Sequence, residues 1–241
     1  MGRPAPLGNN VDEWRLWLAE HAGCGLGYLA ENIVAAKDRS VASRSPARRA
    51  GDSSNGSVAP DSWPRIANRI TTEVSPWVDL VAREVEFSPG AEPQLYHSVA
   101  TFDYVIVLAV TPDGRIPLVR QYRPAVEDFT LEFPAGIVDS GEDPAVTASR
   151  ELLEETGLPA ESIRLLAVNK TDAGRLSNRV HSYFVQTGPQ MSDFEPEAGL
   201  AVCLVTSSEL VRLIREGEFD AQANLGTLLL AVLLGHLKLP D

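Results

Sequence analysis

The strongest constraint in this sequence is a cluster of acidic side chains on one short predicted helix, residues 143–157 (DPAVTASRELLEETG). Three glutamates of this segment fall within an arc of about 100° on a helix: Glu151, Glu154 and Glu155. Carboxylates one turn apart repel each other, and Arg150, the only cation nearby, can pair with one at i+4 but not with all. A hard divalent cation takes carboxylate ligands, so this face predicts a cation site; a solvated acidic surface is the alternative.

The ends of this helix are also encoded in the sequence. Asp143 is a typical N-cap, Pro144 suits the first helical position, and Gly157 is typical of the residue just past a helix.

Strand patterns occur on both sides of this helix. The segments FDYVIVLAVT and IPLVRQYRP flank the turn PDGR, which predicts a hairpin. Two further helices are predicted in SSELVRLIREGEF and AQANLGTLLLAVLLGHL. This mixture, without a regular βαβ period, predicts an α/β fold with a mixed sheet between helices.

Composition and charge narrow the functional class. The chain has 241 residues and a formal net charge of −12, which argues against a nucleic-acid partner. Its longest apolar run, LGTLLLAVLLG, is too short to cross a bilayer, so no membrane partner is expected. Two cysteines, Cys24 and Cys203, give neither a disulfide framework nor a metal cluster, and no secretory signal is expected. We therefore expect a cytoplasmic protein, with organelle targeting as the alternative.

The chain is predicted to divide near residue 70. Residues 1–70 contain 9 basic and 7 acidic side chains, whereas residues 71–241 contain 12 and 26. Within the first part, VDEWRLWLAEHAG predicts a short amphipathic helix, and the Ser-, Arg-, Gly- and Pro-rich segment after it predicts a disordered linker. We therefore predict an N-terminal extension over residues 1–70 and one globular domain over residues 71–241.

The acidic helix and the loop before it resemble the Nudix box, G-x5-E-x7-R-E-U-x-E-E-x-G-U, in which U is an aliphatic residue. Every fixed position of the pattern matches: Gly136, Glu142, Arg150, Glu151, Leu152, Glu154, Glu155, Gly157 and Leu158. The resemblance implies the Nudix hydrolase family and its fold, an α/β/α sandwich around a mixed β-sheet. It also implies Mg²⁺-dependent hydrolysis of a nucleoside diphosphate linked to another moiety, with Mn²⁺ as an alternative cation.

The same resemblance implies roles for the residues of the box. The candidate metal ligands are four carboxylates and one backbone carbonyl: Glu142, Glu151, Glu154, Glu155 and Ala135. Glu154 would alternatively be the base for water, and Glu142 would alternatively support the site. Arg150 would orient the carboxylates. A bound metal lowers the pKa of its water and neutralises charge on phosphate oxygens, as pyrophosphate cleavage at neutral pH requires.

Residues outside the box set the substrate, and VRQYRPAVEDFTLEFPAG resembles the ADP-ribose and ADP-sugar pyrophosphatase branch of the family. By this resemblance Arg123 and Arg120 would grip the diphosphate, because a guanidinium matches phosphate oxygens. Glu132 would line the site beside the metal. The later segment DAGRLSNRVH resembles the D-P-G-x-S-N loop of the branch, which implies that Ser177 and Asn178 meet the terminal ribose.

One departure from the branch pattern leaves the substrate open. The proline typical of ADP-ribose hydrolases in this loop is Ala173 here, and Arg175 is an extra residue that is either a phosphate or sugar contact or a loop charge. Another nucleotide sugar or a damaged nucleotide is therefore the alternative substrate. A nucleotide-binding Nudix module without catalysis is a further alternative, although such modules usually lose box glutamates and this chain keeps them.

Two more features complete the expected site. Glu195 and Glu197 lie in a loop before a strand, where the branch has a catalytic glutamate, and we favour Glu197. Trp77 resembles an aromatic residue that stacks on adenine across a homodimer interface in this branch, with a core or interface tryptophan as the alternative. Arg83 is a further candidate for a phosphate contact from the partner subunit. We therefore expect a homodimer that binds a nucleoside diphosphate sugar.

Overall fold

The computed structural model describes residues 63–240, so the helix predicted in residues 11–23 and the linker predicted up to residue 62 lie outside the described residues. The strands are β1 (Arg65–Ser75), β2 (Val78–Glu86), β3 (Gln94–Ala100), β4 (Tyr104–Val110), β5 (Ile116–Arg123), β6 (Asp128–Glu132), β7 (Ala135–Ile137), β8 (Ala160–Asn169), β9 (Val180–Thr187) and β10 (Leu200–Val205). The helices are α1 (Pro144–Thr156), α2 (Ser207–Arg215) and α3 (Gln222–Leu233). None of the helices in this part of the chain is long and apolar enough to cross a lipid bilayer.

A four-stranded mixed sheet in the order β7-β4-β9-β8 forms the centre of the fold. Its strand β4 (YVIVLAV) is apolar along its whole length because helices cover both of its faces. Side chains alternate along this strand: Val105 and Val107 pack with α1, whereas Ile106 and Leu108 pack in the core that contains residues of α2 and α3. Helices on both faces of a mixed sheet confirm the predicted α/β/α sandwich.

The predicted hairpin between FDYVIVLAVT and IPLVRQYRP is wrong in its strand pairing. A turn does connect the two strands, and the N–H of Thr111 donates to the carbonyl of Arg115 at 2.9 Å. However, β5 pairs with β6 and β10, whereas β4 pairs with β7 and β9. Because β4 already has a neighbour on each side, both of its hydrogen-bonding edges are used. The turn therefore carries the chain from one sheet into another.

Strands β1, β2 and β3 form a separate antiparallel sheet at the start of the described chain. β1 pairs with β2 from Arg65 to Ser75, so the predicted domain boundary at residue 70 falls inside a strand. The side chain of Arg65 also donates to Glu86 of β2 at 2.9 and 3.2 Å. Charge composition misplaces this boundary because Arg65 and Arg69 are exposed basic residues of β1, similar in charge to the basic residues that precede them in the sequence. The described fold thus includes residues before position 70.

The predicted ends of the acidic helix are confirmed. The Asp143 side chain accepts the N–H of Ala145 at 2.9 Å, which caps the first turn. Gly157 adopts φ 68° and donates its N–H to the carbonyl of Leu153 at 2.9 Å. This left-handed conformation favours glycine because it has no Cβ atom. With its apolar side packed on β4, α1 places its glutamates beside β7.

Candidate active site

The guanidinium of Arg150 forms hydrogen bonds with carboxylates of the acidic face of α1 and of the loop before it. Arg150 donates through Nη1 to Glu151 at 2.7 Å and to Glu154 at 3.1 Å, and through Nη2 to Glu142 at 3.2 Å. Partial burial lowers the pKa of Arg150. The nearby carboxylates of Glu142 and Glu151 raise this pKa by more, so the net shift is upward. Arg150 therefore reaches three carboxylates, whereas the spacing along the helix had indicated one i, i+4 partner.

Glu142 is held by a second donor that the sequence analysis missed. The hydroxyl of Thr147 donates to Glu142 at 2.7 Å. The hydrogen bonds from Thr147 and Arg150 lower the pKa of Glu142, so its carboxylate stays charged. This geometry favours the supporting role for Glu142 over direct cation binding. The sequence feature that could have indicated this hydrogen bond is a threonine in the helix, five positions after a glutamate in the loop.

Glu155 is held by the backbone of β7. Its Oε2 accepts the N–H of Ala135 at 3.0 Å. Burial, together with the nearby charge of Glu151, raises the pKa of Glu155 to about 8, although the hydrogen bond from Ala135 opposes this shift. Burial likewise raises the pKa of Glu151, and the charge of Glu154 adds to it. The site therefore contains two partly buried carboxylates whose charged forms are disfavoured by burial, despite the hydrogen bonds from Arg150 to Glu151 and from Ala135 to Glu155.

These residues fit a hard divalent cation in the chemistry of their donor atoms. Within residues 63–240, no group of three or more His, Cys, Asp or Glu side chains converges as an assembled metal site, and Glu151 and Glu154 are turned toward Arg150. The donors beside β7 are nevertheless all oxygens, as Mg²⁺ prefers. A cation between Glu151 and Glu155 would stabilise their charged forms, which burial and mutual repulsion oppose.

A cleft of about 890 Å³ adjoins the acidic face where Ala135 and Gly136 of β7 line it. This volume lies in the range of small-molecule sites, roughly 300–1,000 Å³. Side chains from widely separated parts of the chain meet there: Trp77, Tyr104, Arg123, Glu132, Lys170 and Asn178. Tyr104 and Lys170 were missed by the sequence analysis because no motif marks them. Four of the predicted substrate-binding residues are therefore brought together beside the predicted cation site.

Arg123 and Glu132 form a bidentate ion pair in this cleft. Arg123 donates through Nε at 2.9 Å and through Nη2 at 2.7 Å, and Thr130 donates to the same carboxylate at 2.5 Å. Burial raises the pKa of Glu132. The hydrogen bonds from Arg123 and Thr130 lower this pKa by more, so the net shift is downward. The Glu132 side chain is 10% exposed and that of Arg123 is 42% exposed. Glu132 therefore orients the guanidinium, which can still present its Nη1 donors to a ligand.

Arg120 lies outside the cleft, so the structure does not support its predicted contact with a diphosphate. Residues three positions apart on a strand point to opposite faces, and Arg123 takes the face that meets the cleft. The guanidinium carbon of Arg120 lies 4.0 Å from the ring centroid of Phe129. Burial lowers the pKa of Arg120. Arg120 thus packs against Phe129 on the face of β5 opposite to that of Arg123.

The loop that contains Ser177, which is predicted to contact a ribose, is hydrogen-bonded to β3 of the N-terminal sheet. The N–H of Val99 donates to the carbonyl of Arg175 at 2.7 Å, and the N–H of Ser177 donates to the carbonyl of Val99 at 3.1 Å. Asn178 is buried, lines the cleft and donates through Nδ2 to the carbonyl of Phe102 at 3.1 Å. Ser177 is exposed and is not among the residues that line the cleft. The loop therefore brings Asn178, but not Ser177, to the cleft.

The same loop forms its turn without the proline that is typical of it. Asp172 accepts the N–H of Gly174 through its side chain at 2.9 Å and the N–H of Leu176 through its carbonyl at 2.8 Å. Such side-chain-to-backbone bonds from aspartate stabilise tight turns. The alanine at position 173 is therefore compatible with the loop conformation.

Of the two loop glutamates, Glu197 is the one with a described link to the acidic face. Both Glu195 and Glu197 are exposed. Burial is the main cause of the raised pKa of Glu151, and the negative charge of Glu197 makes the smallest of the contributions to it. This coupling favours Glu197 over Glu195.

The N-terminal sheet contributes Trp77 to the cleft. Trp77 lies on the turn between β1 and β2 and is 56% exposed, which excludes the interpretation of a buried core tryptophan. Arg83 of β2 instead donates a hydrogen bond to the hydroxyl of Ser98 in β3. Burial, followed by the charge of Arg69 on the neighbouring strand, lowers the pKa of Arg83.

This chain is similar in sequence and in fold to known proteins. A family model described as NUDIX domain matches residues 101–223. ADP-ribose pyrophosphatase from Bacillus subtilis (strain 168) is 31% identical over 149 residues, which cover 60% of this chain and 80% of that protein. Methanol dehydrogenase activator from Bacillus methanolicus is 41% identical over 118 residues, which cover 49% of this chain and 55% of that protein. A crystal structure of ADP compounds hydrolase has a TM-score of 0.61 and 23% identity, and the match covers 72% of this chain and 97% of that chain; the two share a fold.

Proposed function

This chain belongs to the Nudix family, in its ADP-ribose and ADP-sugar pyrophosphatase branch, and on that premise we propose a substrate, a cofactor and products. The substrate is ADP-ribose or a related nucleoside diphosphate sugar. The cofactor is Mg²⁺, with Mn²⁺ as an alternative, and the products are a nucleoside monophosphate and a sugar phosphate. The observation that supports this proposal is one cleft in which the oriented guanidinium of Arg123 adjoins the acidic face of α1 at Ala135.

The cation-binding role is proposed for Glu151, Glu155 and the carbonyl of Ala135. A bound Mg²⁺ would lower the pKa of a coordinated water and neutralise charge on the phosphate oxygens. Arg150 orients Glu151 and Glu154 through its hydrogen bonds, and Glu142 in turn holds Arg150. Glu154, which is 52% exposed, is a further ligand or a support at the edge of the site.

Hydrolysis adds water across one P–O bond of the diphosphate. The water oxygen bonds to phosphorus, the bond to the bridging oxygen breaks, and the bridging oxygen leaves on the other phosphate. A carboxylate must accept the proton that the water loses. We assign this role to Glu197, because its charge acts on Glu151 whereas Glu154 is already hydrogen-bonded to Arg150.

The remaining cleft residues bind and align the substrate. Arg123 contacts the diphosphate with the guanidinium donors that Glu132 leaves available. Trp77 offers an exposed aromatic ring for stacking on the base, and Asn178 shapes the sugar end of the cleft. Ser177 is part of this proposal only through its backbone bond to Val99, which holds the loop in place.

A different nucleotide sugar, or a damaged nucleotide, is the alternative substrate. The observation that favours it is Ala173, which replaces the proline typical of ADP-ribose hydrolases in the loop that brings Asn178 to the cleft. A non-catalytic Nudix module has less support because every glutamate of the box is retained.

We further propose a homodimer formed through the β1–β3 sheet. The strand register brings Ile70, Leu80 and Leu95 to one face of this sheet, where they are 57%, 41% and 59% exposed. Exposed apolar side chains on one face of a sheet are typical of a protein interface, and symmetric pairing of identical faces is the commonest form of assembly. Sedimentation of the wild type and of Leu95→Lys tests this proposal, since a dimer of the wild type should become a monomer in the variant.

The organisation of the chain is also part of the proposal. The Nudix domain begins at β1, the preceding residues form an extension, and the enzyme acts in the cytoplasm on a small molecule rather than on a nucleic acid. Cell fractionation and comparison of the full chain with a truncated one test these points.

A panel of nucleoside diphosphate sugars and damaged nucleotides, incubated with the full chain and Mg²⁺, tests the proposed activity. We expect ADP-ribose or a close analogue to be turned over fastest, with AMP and a sugar phosphate identified by chromatography and mass spectrometry. Absence of turnover on the whole panel with Mg²⁺ and with Mn²⁺ would exclude the proposed reaction.

A further inference from the structure

The loop that carries Glu197, residues 188–199, is bonded to the C-terminal end of α1. Gln190 donates through Nε2 to the carbonyl of Thr156 at 2.7 Å, and the N–H of Met191 donates to the carbonyl of Gly157 at 2.9 Å. Both acceptors belong to the last turn and cap of the acidic helix. The loop is therefore attached to the same element that carries the box glutamates.

The ring of Phe194 lies directly on the backbone of Gly157. A Cβ atom added to Gly157 would be 2.3 Å from Cγ and 2.6 Å from Cβ of Phe194, closer than any allowed contact. Gly157 thus has two independent reasons to be glycine: its positive φ of 68° and the room that it leaves for this ring. The aromatic side chain anchors the loop by packing, in addition to the two hydrogen bonds.

Glu197 lies between this anchor and a second one. After Glu197 the chain enters β10, where the N–H of Leu200 donates to the carbonyl of Glu197 at 3.0 Å and Leu200 pairs with Gln121 of β5. The loop is thus held to the helix on one side and to the sheet on the other.

We propose that Phe194 is a positioning residue that sets the distance between Glu197 and the acidic face of α1 through its contact with Gly157. This inference rests on the proposed role of Glu197 in hydrolysis. Phe194 itself touches the helix end and is not among the residues that line the cleft. Phe194 contributes to the rate by aligning Glu197. A displacement of a catalytic group by about 1 Å can change a rate by roughly 100-fold.

A double-mutant cycle in the full-length chain tests the inference. We expect Phe194→Ala to lower kcat by roughly 10- to 100-fold with little change in KM, because substrate contacts remain. Glu197→Gln should lower kcat at least as much. In the Glu197→Gln background, Phe194→Ala should cost almost nothing more, since residues that act through one another are non-additive. Phe194→Tyr should restore most of the rate, and Phe87→Ala, at an exposed phenylalanine outside the site, is the matched control.

Hydrogen exchange supplies a readout that does not depend on turnover. We expect faster exchange of the Met191 and Leu200 amides, which donate to the carbonyls of Gly157 and Glu197, in Phe194→Ala, with the interior of α1 unchanged. Unchanged exchange, wild-type kcat, or an equal loss in the Glu197→Gln background would each overturn the positioning role. Wild-type turnover by Glu197→Gln would overturn the role of Glu197 and this inference with it. An inactive wild-type enzyme would instead contradict the proposed function, while the exchange measurement would still test the anchor.

Discussion

Gly136 and Glu151 are in direct contact where β7 meets α1. A Cβ atom added to Gly136 would lie 2.0 Å from Cδ and 2.1 Å from Oε1 of Glu151. The first glycine of the box is therefore required by packing, because a side chain there would occupy the position of the carboxylate. This contact links a position in a strand to a glutamate in a helix that begins after an intervening loop.

We expect Gly136→Ala to displace the Glu151 carboxylate and to lower kcat/KM by at least roughly 10-fold, the scale typical of changes that misplace a metal ligand. The fold should persist, because the displaced group is the end of a flexible side chain. Steady-state kinetics with circular dichroism check this result. Wild-type kinetics in a folded variant would show that the position of Glu151 is not critical.

Glu155→Gln tests the cation site. We expect activity to fall by roughly 100-fold or more, since even residues that only support a metal ligand account for about 10- to 100-fold. Metal-free stability near neutral pH should hold or rise, because burial and the nearby charge of Glu151 make Glu155 take up a proton on folding, whereas glutamine needs none. Mg²⁺ should raise the Tm of the wild type but scarcely that of the variant. Glu92→Gln, at an exposed loop position, is the control; a fully active Glu155→Gln would remove Glu155 from the site.

The metal-free protein should lose stability as the pH rises from about 5 to about 8. The pKa of Glu155 is raised from 4.5 to about 8 in the fold, chiefly by burial. Between these values the folded state retains a proton that the unfolded state has released, so the free energy of unfolding falls as the pH increases. Thermal unfolding in EDTA across this range should show the decline, and Glu155→Gln should reduce it. Equal pH slopes for both proteins would contradict the raised pKa.

The two strand arginines should differ in their kinetic effects. We expect Arg123→Lys to lower kcat/KM by roughly 10-fold or more, because lysine retains the charge but loses the bidentate bond to Glu132. Arg120→Ala should leave kcat/KM near the wild-type value and lower the Tm through loss of its contact with Phe129. Kinetics and melting of both variants check this contrast. A large kinetic loss in Arg120→Ala alone would show that the diphosphate contacts the other face of β5.

Two truncations should separate the extension from the fold. Removal of residues 1–62 leaves β1 complete, so we expect this fragment to fold and to hydrolyse substrate. Removal of residues 1–70 deletes Arg65–Ile70 from a strand that pairs with β2 and should lower the Tm and expose the sheet to aggregation. Melting curves and turnover of both fragments provide the test. Loss of activity in the longer fragment would show that residues 1–62 contribute to the enzyme.

Much of the acidic helix could be derived from the sequence because its interactions are local. The spacing of Glu151, Glu154 and Glu155 sets their common face by helical geometry alone, and the caps at Asp143 and Gly157 follow from the conformations that these residue types favour. The spacing of the box likewise identified the family. The helical face and each cap depend on neighbouring residues of one element, whereas the box pattern runs through a strand, a loop and the helix from Gly136 to Leu158.

Contacts between elements could be decided only by the tertiary structure. The alternation of a strand separates Arg120 from Arg123, but which face meets the acidic helix depends on how β5 packs, and the charge of Arg120 gives no indication of it. The pairing of β4 with β9 instead of β5, and the contact of Phe194 with Gly157, likewise join residues far apart in the chain. Which strands pair and which side chains meet is decided by competition among many possible long-range contacts. The relative positions of side chains within one helix or strand are set by backbone geometry alone.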